Sequence, residues 1–236
     1  LNNIQYIFHL GAQSQVGKAI ENPNETFKKN IKGTWDILET ARQTNVKRII
    51  IASTDKVYGE GLNKKETDPL NAINPYDVSK VAVDKLAQSY ISTYNMNIVI
   101  TRFCNVYGGG DTNTKRIVPD TILNLLKNKN PQIRSDGKSI REYMYIKDAI
   151  EAYLILGQNN ETGIFNIGNE EVIDILCLVH EIMSYMDKLE LIPKILNISK
   201  NEIQNQSLDS SKFYNTFNWK PKYKLNKGLK ETIRWY

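Results

Sequence analysis

Cysteine and histidine are scarce in this chain of 236 residues. The two cysteines, Cys104 and Cys177, lie far apart without a C-x-x-C spacing, and the two histidines, His9 and His180, lack the spacing of metal ligands. These absences exclude a disulfide framework and give no indication of a metal site. Sparse, unpaired cysteine is typical of a reducing compartment, so we expect a cytoplasmic protein.

Long apolar runs and long runs of like charge are also missing. No apolar segment reaches the roughly 18 residues needed to cross a bilayer, and no charged and then apolar signal segment opens the chain. The net charge of +5 comes from scattered lysine and arginine. We therefore expect neither a membrane nor a nucleic-acid partner, whereas small phosphorylated substrates are compatible with this charge.

The first half of the chain alternates buried strands with amphipathic helices. Apolar, β-branched runs predict strands at residues 4–10, 47–53 and 97–103, with a crossover helix between each pair. This alternation, with right-handed crossovers, predicts an α/β fold with a Rossmann-like doubly wound parallel sheet. The apolar positions are Phe27, Ile31, Trp35, Leu38 and Ala41 in the first helix, and Val78, Val81, Ala82, Leu86, Tyr90 and Tyr94 on the inward side of the second.

From about Tyr107 the pattern changes to loops and shorter elements. The change predicts two parts, a sheet domain at residues 1–106 and mainly a small α/β substrate-binding subdomain at residues 107–236. The elements expected in the second part are a short helix at 119–127, short strands at 132–133 and 163–167, a helix at 172–186 and a terminal amphipathic helix at 225–236.

Four reactive side chains lie at the end of the second predicted strand or in the helix that follows it. Ser53 and Thr54 end that strand, and hydroxyls at such a position lie in the crevice where open α/β sheets bind ligands. Tyr76 and Lys80 are four residues apart, so on a helix they share one face. A nearby ammonium favours the phenolate, which could then take a proton from a sugar alcohol. The alternative is that the pair has no catalytic role, because any helix can carry Tyr and Lys at this spacing.

These motifs together resemble the extended short-chain dehydrogenase/reductase family, specifically its nucleotide-sugar epimerases and dehydratases. The resemblance covers nearly the whole chain, and it is specific because several independent motifs agree in order and spacing. The matching stretches are Tyr76-Asp-Val-Ser-Lys80 with Thr54, His9-Leu-Gly-Ala-Gln13, Asn30-Ile-Lys-Gly-Thr34, Arg102-Phe-Cys-Asn-Val-Tyr-Gly108, Arg116-Ile-Val-Pro119, Ile140-Arg-Glu-Tyr143 and the tail from Trp219.

The pair Asp55-Lys56 is similar to the pair found in 4,6-dehydratases of the CDP-glucose type. The resemblance implies that Tyr76 is the C4 base, that Lys56 takes the C5 proton as a neutral amine and that protonated Asp55 donates to the leaving C6 oxygen. A 4-epimerase is the first alternative, although such enzymes usually carry small hydroxyl residues in place of this pair. A non-catalytic nucleotide-binding member of the fold is the second. Asp-Lys could also be an ordinary surface turn.

The family's other site residues carry over position by position. The resemblance implies NAD as cofactor, a nucleotide sugar as substrate, and a homodimer paired through the helices at 24–45 and 76–95. An arginine suits a diphosphate because its fork donates two hydrogen bonds. The implied cofactor residues are Leu10, Gly11, Ala12, Gln13, Asn30, Ser53, Tyr76, Lys80 and Val106, and the implied substrate residues are Thr54, Asn105, Arg116, Ile133, Arg134 and Arg141.

The chain departs from the family pattern in three places. Gly11 stands where Ala is common, and Glu142 where Asp is common. The Gly-x-x-Gly-x-x-Gly fingerprint that holds the pyrophosphate is absent from the sequence. The chain also begins at Leu1 and enters a buried strand almost at once, so we expect an N-terminally truncated part of a longer protein that lacks the first strands. Such a piece is expected to bind NAD poorly and to be inactive alone.

Overall fold

The computed structural model describes residues 3–198 and 203–236. In chain order its strands are β1 (Tyr6–His9), β2 (Arg48–Thr54), β3 (Gly61–Lys64), β4 (Ile98–Phe103), β5 (Asn105–Tyr107), β6 (Gln132–Ile133), β7 (Ile140–Tyr145), β8 (Gly163–Ile167), β9 (Val172–Asp174), β10 (Lys194–Ile195) and β11 (Gln206–Leu208). Its α-helices are α1 (Val16–Glu21), α2 (Pro23–Phe27), α3 (Gly33–Gln43), α4 (Pro75–Tyr94), α5 (Ile117–Leu126), α6 (Ile146–Gln158), α7 (Ile175–Tyr185), α8 (Ser211–Phe217) and α9 (Leu225–Trp235).

The main sheet is parallel, with strand order β1-β2-β4-β8. Its central strands are buried on both faces. Ile49 belongs to a cluster with Leu38 of α3, whereas Ile50 belongs to a cluster with Leu156 of α6. Helices on both faces of a parallel sheet define the doubly wound arrangement, so the predicted α/β, Rossmann-like class is confirmed.

The fourth strand of this sheet comes from the second part of the chain. The sequence predicts a strand at 163–167, and β8 pairs there with β4 instead of with the smaller sheets. Helix α6, which leads into β8, is not among the sequence predictions. The division at residue 106 stays a prediction, with α6 and β8 contributing to the main sheet from beyond it.

Helix α4 buries a more polar face than its hydropathy predicts. It begins after Asn74 with Pro75 in the first turn and ends at Asn95 in a left-handed conformation. The predicted inward positions Val78 and Tyr94 are 38% and 49% exposed. The residues that are buried instead, together with Tyr90, are Tyr76, Asp77, Ser79, Lys80, Val83, Asp84 and Ala87. The prediction was therefore wrong for Val78 and Tyr94 and right for Tyr90, while Val81 and Leu86 are partly buried against apolar clusters.

The remaining elements build a third apolar cluster around small sheets. Strands β5, β7 and β9 form a three-stranded sheet, packed with helices α5, α7 and α9. The helix predicted from residue 172 begins only at Ile175, because Val172–Asp174 pairs with β7 as a strand. None of the helices within residues 3–198 and 203–236 is both long and apolar enough to cross a membrane.

Candidate active site

The end of β2 places Asp55 beneath the crevice. A 3₁₀ turn over Asp55–Tyr58 follows the strand directly, and Thr54 Oγ1 accepts a bond of 3.4 Å from the Lys56 amide. The Thr54 hydroxyl also donates to Asp55 Oδ1 at 2.9 Å. The Asp55 side chain is fully buried, and its Oδ2 has no hydrogen-bond partner among the described residues. A buried carboxyl oxygen without a partner is costly, so packing alone does not account for this side chain.

Lys56 connects this carboxyl to β5, a strand of the three-stranded sheet. Its Nζ lies 3.2 Å from Asp55 Oδ1 and 3.2 Å from Asn105 Oδ1 at the start of β5. The Asn105 amide in turn donates to the Glu142 carbonyl of β7 at 3.1 Å. The Lys56 side chain is 23% exposed, so it borders the crevice and does not extend into bulk solvent. Asp55, Lys56 and Asn105 are therefore brought together.

Tyr76 and Lys80 are both buried on the first turns of α4. Lys80 Nζ donates to the Ala52 carbonyl of β2 at 2.9 Å, and burial lowers its pKa to about 8. Burial raises the pKa of Tyr76, and the charges of Asp77 and Asp55 raise it further. The protein groups alone therefore do not favour the phenolate, in contrast to the effect that the Tyr-Lys spacing predicts.

Asn30 ties the end of β1 to α4. Its Oδ1 accepts from the Gln13 amide at 2.7 Å, and its Nδ2 donates to the Gln13 carbonyl at 3.0 Å and to Ser79 Oγ at 2.9 Å. Ser79 donates to the Tyr76 carbonyl at 2.6 Å. Asn30 is itself buried within a π-helical turn, Lys28–Lys32, between α2 and α3. The arrangement fixes the loop after β1 relative to the tyrosine.

A pocket of about 510 Å³ opens beside that loop. Gly11, Ala12 and Gln13 line it together with residues of α1 and α2. Leu10, which precedes these residues in the chain, is 53% exposed. The pocket runs along the carboxyl end of β1, where parallel sheets bind nucleotides, and so it fits the predicted cofactor residues of this loop.

Two other predicted cofactor residues face different surroundings. The Ser53 hydroxyl donates to Asp84 Oδ2 at 3.2 Å, and Asp84 also pairs with Arg102. Val106 is half-buried against the apolar cluster that contains Ile50 and Leu156. Neither residue is in the lining of the pocket at Gly11–Gln13.

The four predicted substrate residues of the subdomain have different surroundings. Arg116 is exposed and lies 3.2 Å from Asp111 Oδ2, and Arg134 donates to the carbonyl next to it, at Lys115. Ile133, in β6, is fully buried in the third apolar cluster, around the small sheets. Arg141 is buried and donates to backbone carbonyls, among them those of Ile140 at 2.9 Å, Gln204 at 3.2 Å and Ile203.

Two acidic groups near the site have no role in the sequence predictions. Glu142 accepts bonds from the amides of Asn169, Glu170 and Leu208 at 2.5, 2.7 and 2.9 Å, and burial raises its pKa to about 7. Asp77 follows Tyr76 and is 2% exposed, and its Oδ1 has no hydrogen-bond partner within residues 3–198 and 203–236. Only its place directly after Tyr76 in the sequence could have drawn attention to Asp77.

The described residues contain no group of three His, Cys, Asp or Glu side chains arranged to hold a metal ion. The polar groups gathered at the carboxyl ends of β1 and β2 instead define a Rossmann-like nucleotide site. Residues 1–168 match the NAD dependent epimerase/dehydratase family. The chain therefore belongs to this family, whose cofactor is NAD.

Characterised relatives include dehydratases. The chain is 30% identical over 242 residues to the human dTDP-D-glucose 4,6-dehydratase, with 99% of the chain and 69% of the relative covered. It is 29% identical over 255 residues to the dTDP-glucose 4,6-dehydratase of Haemophilus influenzae, with 98% and 75% covered.

Solved structures include members of both activity classes. The dTDP-glucose 4,6-dehydratase of Streptomyces venezuelae, solved with NAD, superposes with a TM-score of 0.95 at 27% identity, over 100% of this chain and 74% of that one. The UDP-glucose 4-epimerase of Thermotoga maritima, solved with UDP-glucose, gives a TM-score of 0.93 at 26% identity, over 98% and 76%.

Proposed function

We propose that this chain carries the catalytic groups of an NAD-dependent nucleotide-sugar 4,6-dehydratase. The observation that supports this best is the Lys56–Asp55 pair, with 3.2 Å between Nζ and Oδ1, at the carboxyl edge of β2. An epimerase needs no acid and base beyond the tyrosine and a hydroxyl, whereas removal of water from C5 and C6 needs both. A dehydratase therefore explains why an amine and a buried carboxyl lie together here.

In the proposed reaction each side chain moves one proton. Tyr76, hydrogen-bonded to the substrate together with Thr54, takes the proton of the C4 hydroxyl. NAD held beside Tyr76 and Lys80 would supply the hydride chemistry, as acceptor of the C4 hydride and donor to C6. Lys56 takes the C5 proton, which the C4 ketone has made acidic, and Asp55 protonates the departing C6 oxygen. Lys56 then returns its proton to C5, which leaves a 4-keto-6-deoxy sugar and water.

The loop after β1 and the first turns of α4 would hold the nicotinamide end of NAD. Gly11, Ala12 and Gln13 line the pocket there, and Tyr76 with Lys80 would hold the nicotinamide ribose. Leu10, Asn30, Ser53 and Val106 remain proposed neighbours of the cofactor. Because the sequence has no glycine fingerprint for the pyrophosphate, we propose weak NAD binding by these 236 residues alone. Calorimetric titration giving a micromolar Kd would contradict this.

The proposed substrate is CDP-glucose, because the Asp55-Lys56 pair resembles that subgroup. The related dehydratases act on dTDP-glucose, and UDP-glucose is a further candidate because other relatives carry a UDP-glucose 4,6-dehydratase activity. Asn105 and Arg141 are proposed to contact the diphosphate, with Arg116, Ile133 and Arg134 near the nucleoside.

Mass spectrometry of the full-length gene product with each of the three nucleotide sugars tests activity and substrate together. Loss of 18 Da, the mass of water, is expected, fastest with CDP-glucose. Proton NMR of the same reactions showing inversion at C4, without loss of mass, would identify an epimerase, and no change in either measurement with any of the three would support a non-catalytic member of the fold. Faster turnover of dTDP-glucose or UDP-glucose would correct the nucleotide.

We also propose a homodimer through α3 and α4. Trp35 of α3 is 50% exposed, and Val78 and Tyr94 of α4 are 38% and 49% exposed, which leaves apolar side chains on both helices uncovered. Sedimentation of the unchanged protein should give twice the monomer mass, and Trp35→Glu should shift it toward the monomer. A monomeric unchanged protein would refute the dimer.

A further inference from the structure

The proposed acid and base, Asp55 and Lys56, lie just beyond the end of the main sheet. The pairing of β2 with β4 ends at Thr54, which lies opposite Phe103. The residues that follow form the 3₁₀ turn Asp55–Tyr58. Thr54 is thus held by strand pairing, whereas the positions of the acid and the base depend on the contacts that hold the turn itself.

Tyr58, the last residue of this turn, is held by its hydroxyl. The side chain is 1% exposed, and the hydroxyl donates to Asn166 Oδ1 of β8 at 2.7 Å and accepts from Arg102 Nη1 of β4 at 2.6 Å. Asn166 Nδ2 donates to the Lys64 carbonyl at 2.7 Å, which leaves its Oδ1 to accept from the phenol. Burial raises the pKa of Tyr58 to about 12, so the hydroxyl keeps the proton that it donates.

Arg102 is itself fixed by Asp84 of α4. The Asp84 carboxylate accepts from Arg102 Nε at 2.8 Å and from Nη2 at 2.9 Å, and both side chains are buried. Such a bidentate pair fixes the plane of the guanidinium, and with it the direction of Nη1. The same carboxylate accepts from the Ser53 hydroxyl at 3.2 Å, directly before the reactive residues. One buried ion pair therefore holds residues 53–58 at both ends.

We propose that the Tyr58 hydroxyl positions Asp55 and Lys56 for the removal of water, by attaching their turn to this ion pair. The inference rests on the proposed dehydratase function and deepens it. Lys56 Nζ and Asp55 Oδ1 lie 3.2 Å apart and must both reach the same sugar, so a small rotation of the turn would misplace them together. Misplacement of a reacting group by about 1 Å can slow a reaction by about 10².

The two halves of the proposed reaction should depend on Tyr58 unequally. Oxidation at C4 uses Thr54, held by strand pairing, and Tyr76, on the first turn of α4. Elimination of water uses the acid and the base on the turn. Loss of the Tyr58 hydroxyl should therefore slow elimination and leave oxidation nearly unchanged, whereas a general loss of folded protein would reduce both.

Tyr58→Phe in the full-length gene product tests this separation. Phenylalanine keeps the ring, whose centre lies 4.8 Å from the guanidinium carbon of Arg102, and loses only the hydroxyl. With enzyme in excess over CDP-glucose, stopped-flow absorbance should show reduced cofactor forming within about threefold of the unchanged rate. Its decay, and the loss of water followed by mass spectrometry, should slow by about tenfold to a hundredfold. Reduced cofactor should therefore accumulate transiently.

Tyr214→Phe is the matched control. The Tyr214 hydroxyl is also buried, and it donates to the Gly168 carbonyl at 2.7 Å, outside the turn. Its removal should lower stability in urea by an amount similar to that for Tyr58→Phe and should leave both phases within about twofold. Equal slowing of the two phases in Tyr58→Phe, or unchanged elimination, would overturn the positioning role while leaving the dehydratase intact.

Hydrogen exchange tests the attachment of the turn without any activity. The Lys56 amide donates to Thr54 Oγ1 at 3.4 Å, and the Gly59 amide donates to the Lys56 carbonyl at 3.2 Å. Both amides should exchange about tenfold faster in Tyr58→Phe and at the unchanged rate in Tyr214→Phe. Unchanged exchange in Tyr58→Phe would overturn the proposal.

Proton NMR of the unchanged protein provides a test that needs no variant. The Tyr58 hydroxyl proton, buried and hydrogen-bonded to Asn166, should exchange slowly enough with water to be observed. Rapid exchange of that proton would overturn the attachment. Absence of water loss in the unchanged enzyme would refute the proposed function instead, and the two exchange measurements would still decide whether Tyr58 holds the turn.

Discussion

The Asn105 side chain holds Lys56 in a fixed orientation. Its Oδ1 accepts from Lys56 Nζ at 3.2 Å, while its Nδ2 donates to the Glu142 carbonyl at 3.1 Å. Because the amide donates on one side, its oxygen must face the lysine, and Lys56 Nζ is held against Asp55. The proposed C5 base is therefore positioned by a strand of the smaller sheet.

Lys56→Met should stop the proposed reaction after oxidation at C4. Methionine keeps the length of the side chain but cannot take the C5 proton, so we expect turnover to fall by about 10²–10⁴. Reduced cofactor should accumulate and absorb at its characteristic wavelength, because hydride has left C4 and cannot return to C6. Stopped-flow absorbance of the full-length gene product would detect this.

Lys85→Met is the matched control for that experiment. Lys85 is an exposed lysine on α4, so its replacement should leave turnover unchanged. Unchanged turnover in Lys56→Met would remove Lys56 from the mechanism. Loss of the oxidation step as well would mean that Lys56 acts in binding and not in elimination.

The sequence was sufficient for the parts of the fold that are locally encoded. The runs around Ile49 and Val99 are apolar on both faces, which specifies central parallel strands without reference to partners. In α6 the buried positions include the small residues Ala149 and Ala152, while Ile150 is 50% exposed. Its apolar residues do not mark one face, so the helix escaped prediction.

Strand β7 could not be predicted for a different reason. It contains Arg141 and Glu142, which a local pattern assigns to the surface, yet both are buried. Their partners lie near residues 168–170 and 203–208, far along the chain. The same holds for the polar inward face of α4. Local hydropathy cannot show that a distant carbonyl or amide satisfies a buried charge.

Asp84→Asn should strongly destabilise the main domain. Its carboxylate accepts from Arg102 Nε at 2.8 Å and Nη2 at 2.9 Å, and the two side chains are 0% and 2% exposed. Removing one partner leaves a buried guanidinium without its counter-charge, which costs about 3–5 kcal/mol. Urea unfolding followed by circular dichroism would measure the difference.

Asp36→Asn serves as the comparison for that stability measurement. Asp36 pairs with Lys32 at 2.6 Å, but both side chains are 57% exposed. Loss of this pair should cost less than about 1 kcal/mol, because solvent already screens it. Similar losses in the two variants would show that the Arg102 pair contributes no more than a surface contact.

Glu142→Gln should weaken the connection between β7, whose Tyr143 lies in the third apolar cluster, and Leu208, which lies in the cluster of Ile50. Two amides, of Asn169 and Glu170, donate to Oε1, and the Leu208 amide donates to Oε2. A glutamine must turn its own NH₂ toward one of these donors, so we expect a loss of about 1–3 kcal/mol. Hydrogen exchange at residues 168–170 and 208 should accelerate, whereas the exposed Glu190→Gln should change nothing.

Lys80→Met should change how the stability of the fold depends on pH. Burial lowers the folded-state pKa of Lys80 from 10.5 to about 8. Between these values the unfolded chain binds the proton more than the folded chain does, so the stability of the unchanged protein rises with pH there. The variant lacks this contribution. Unfolding free energies at pH 7 to 10 should therefore show the unchanged protein gaining on Lys80→Met above about pH 8. If the free energies of unfolding of the two proteins changed in parallel with pH, the pKa of Lys80 would not be lowered by folding, and its ammonium would be exposed to water.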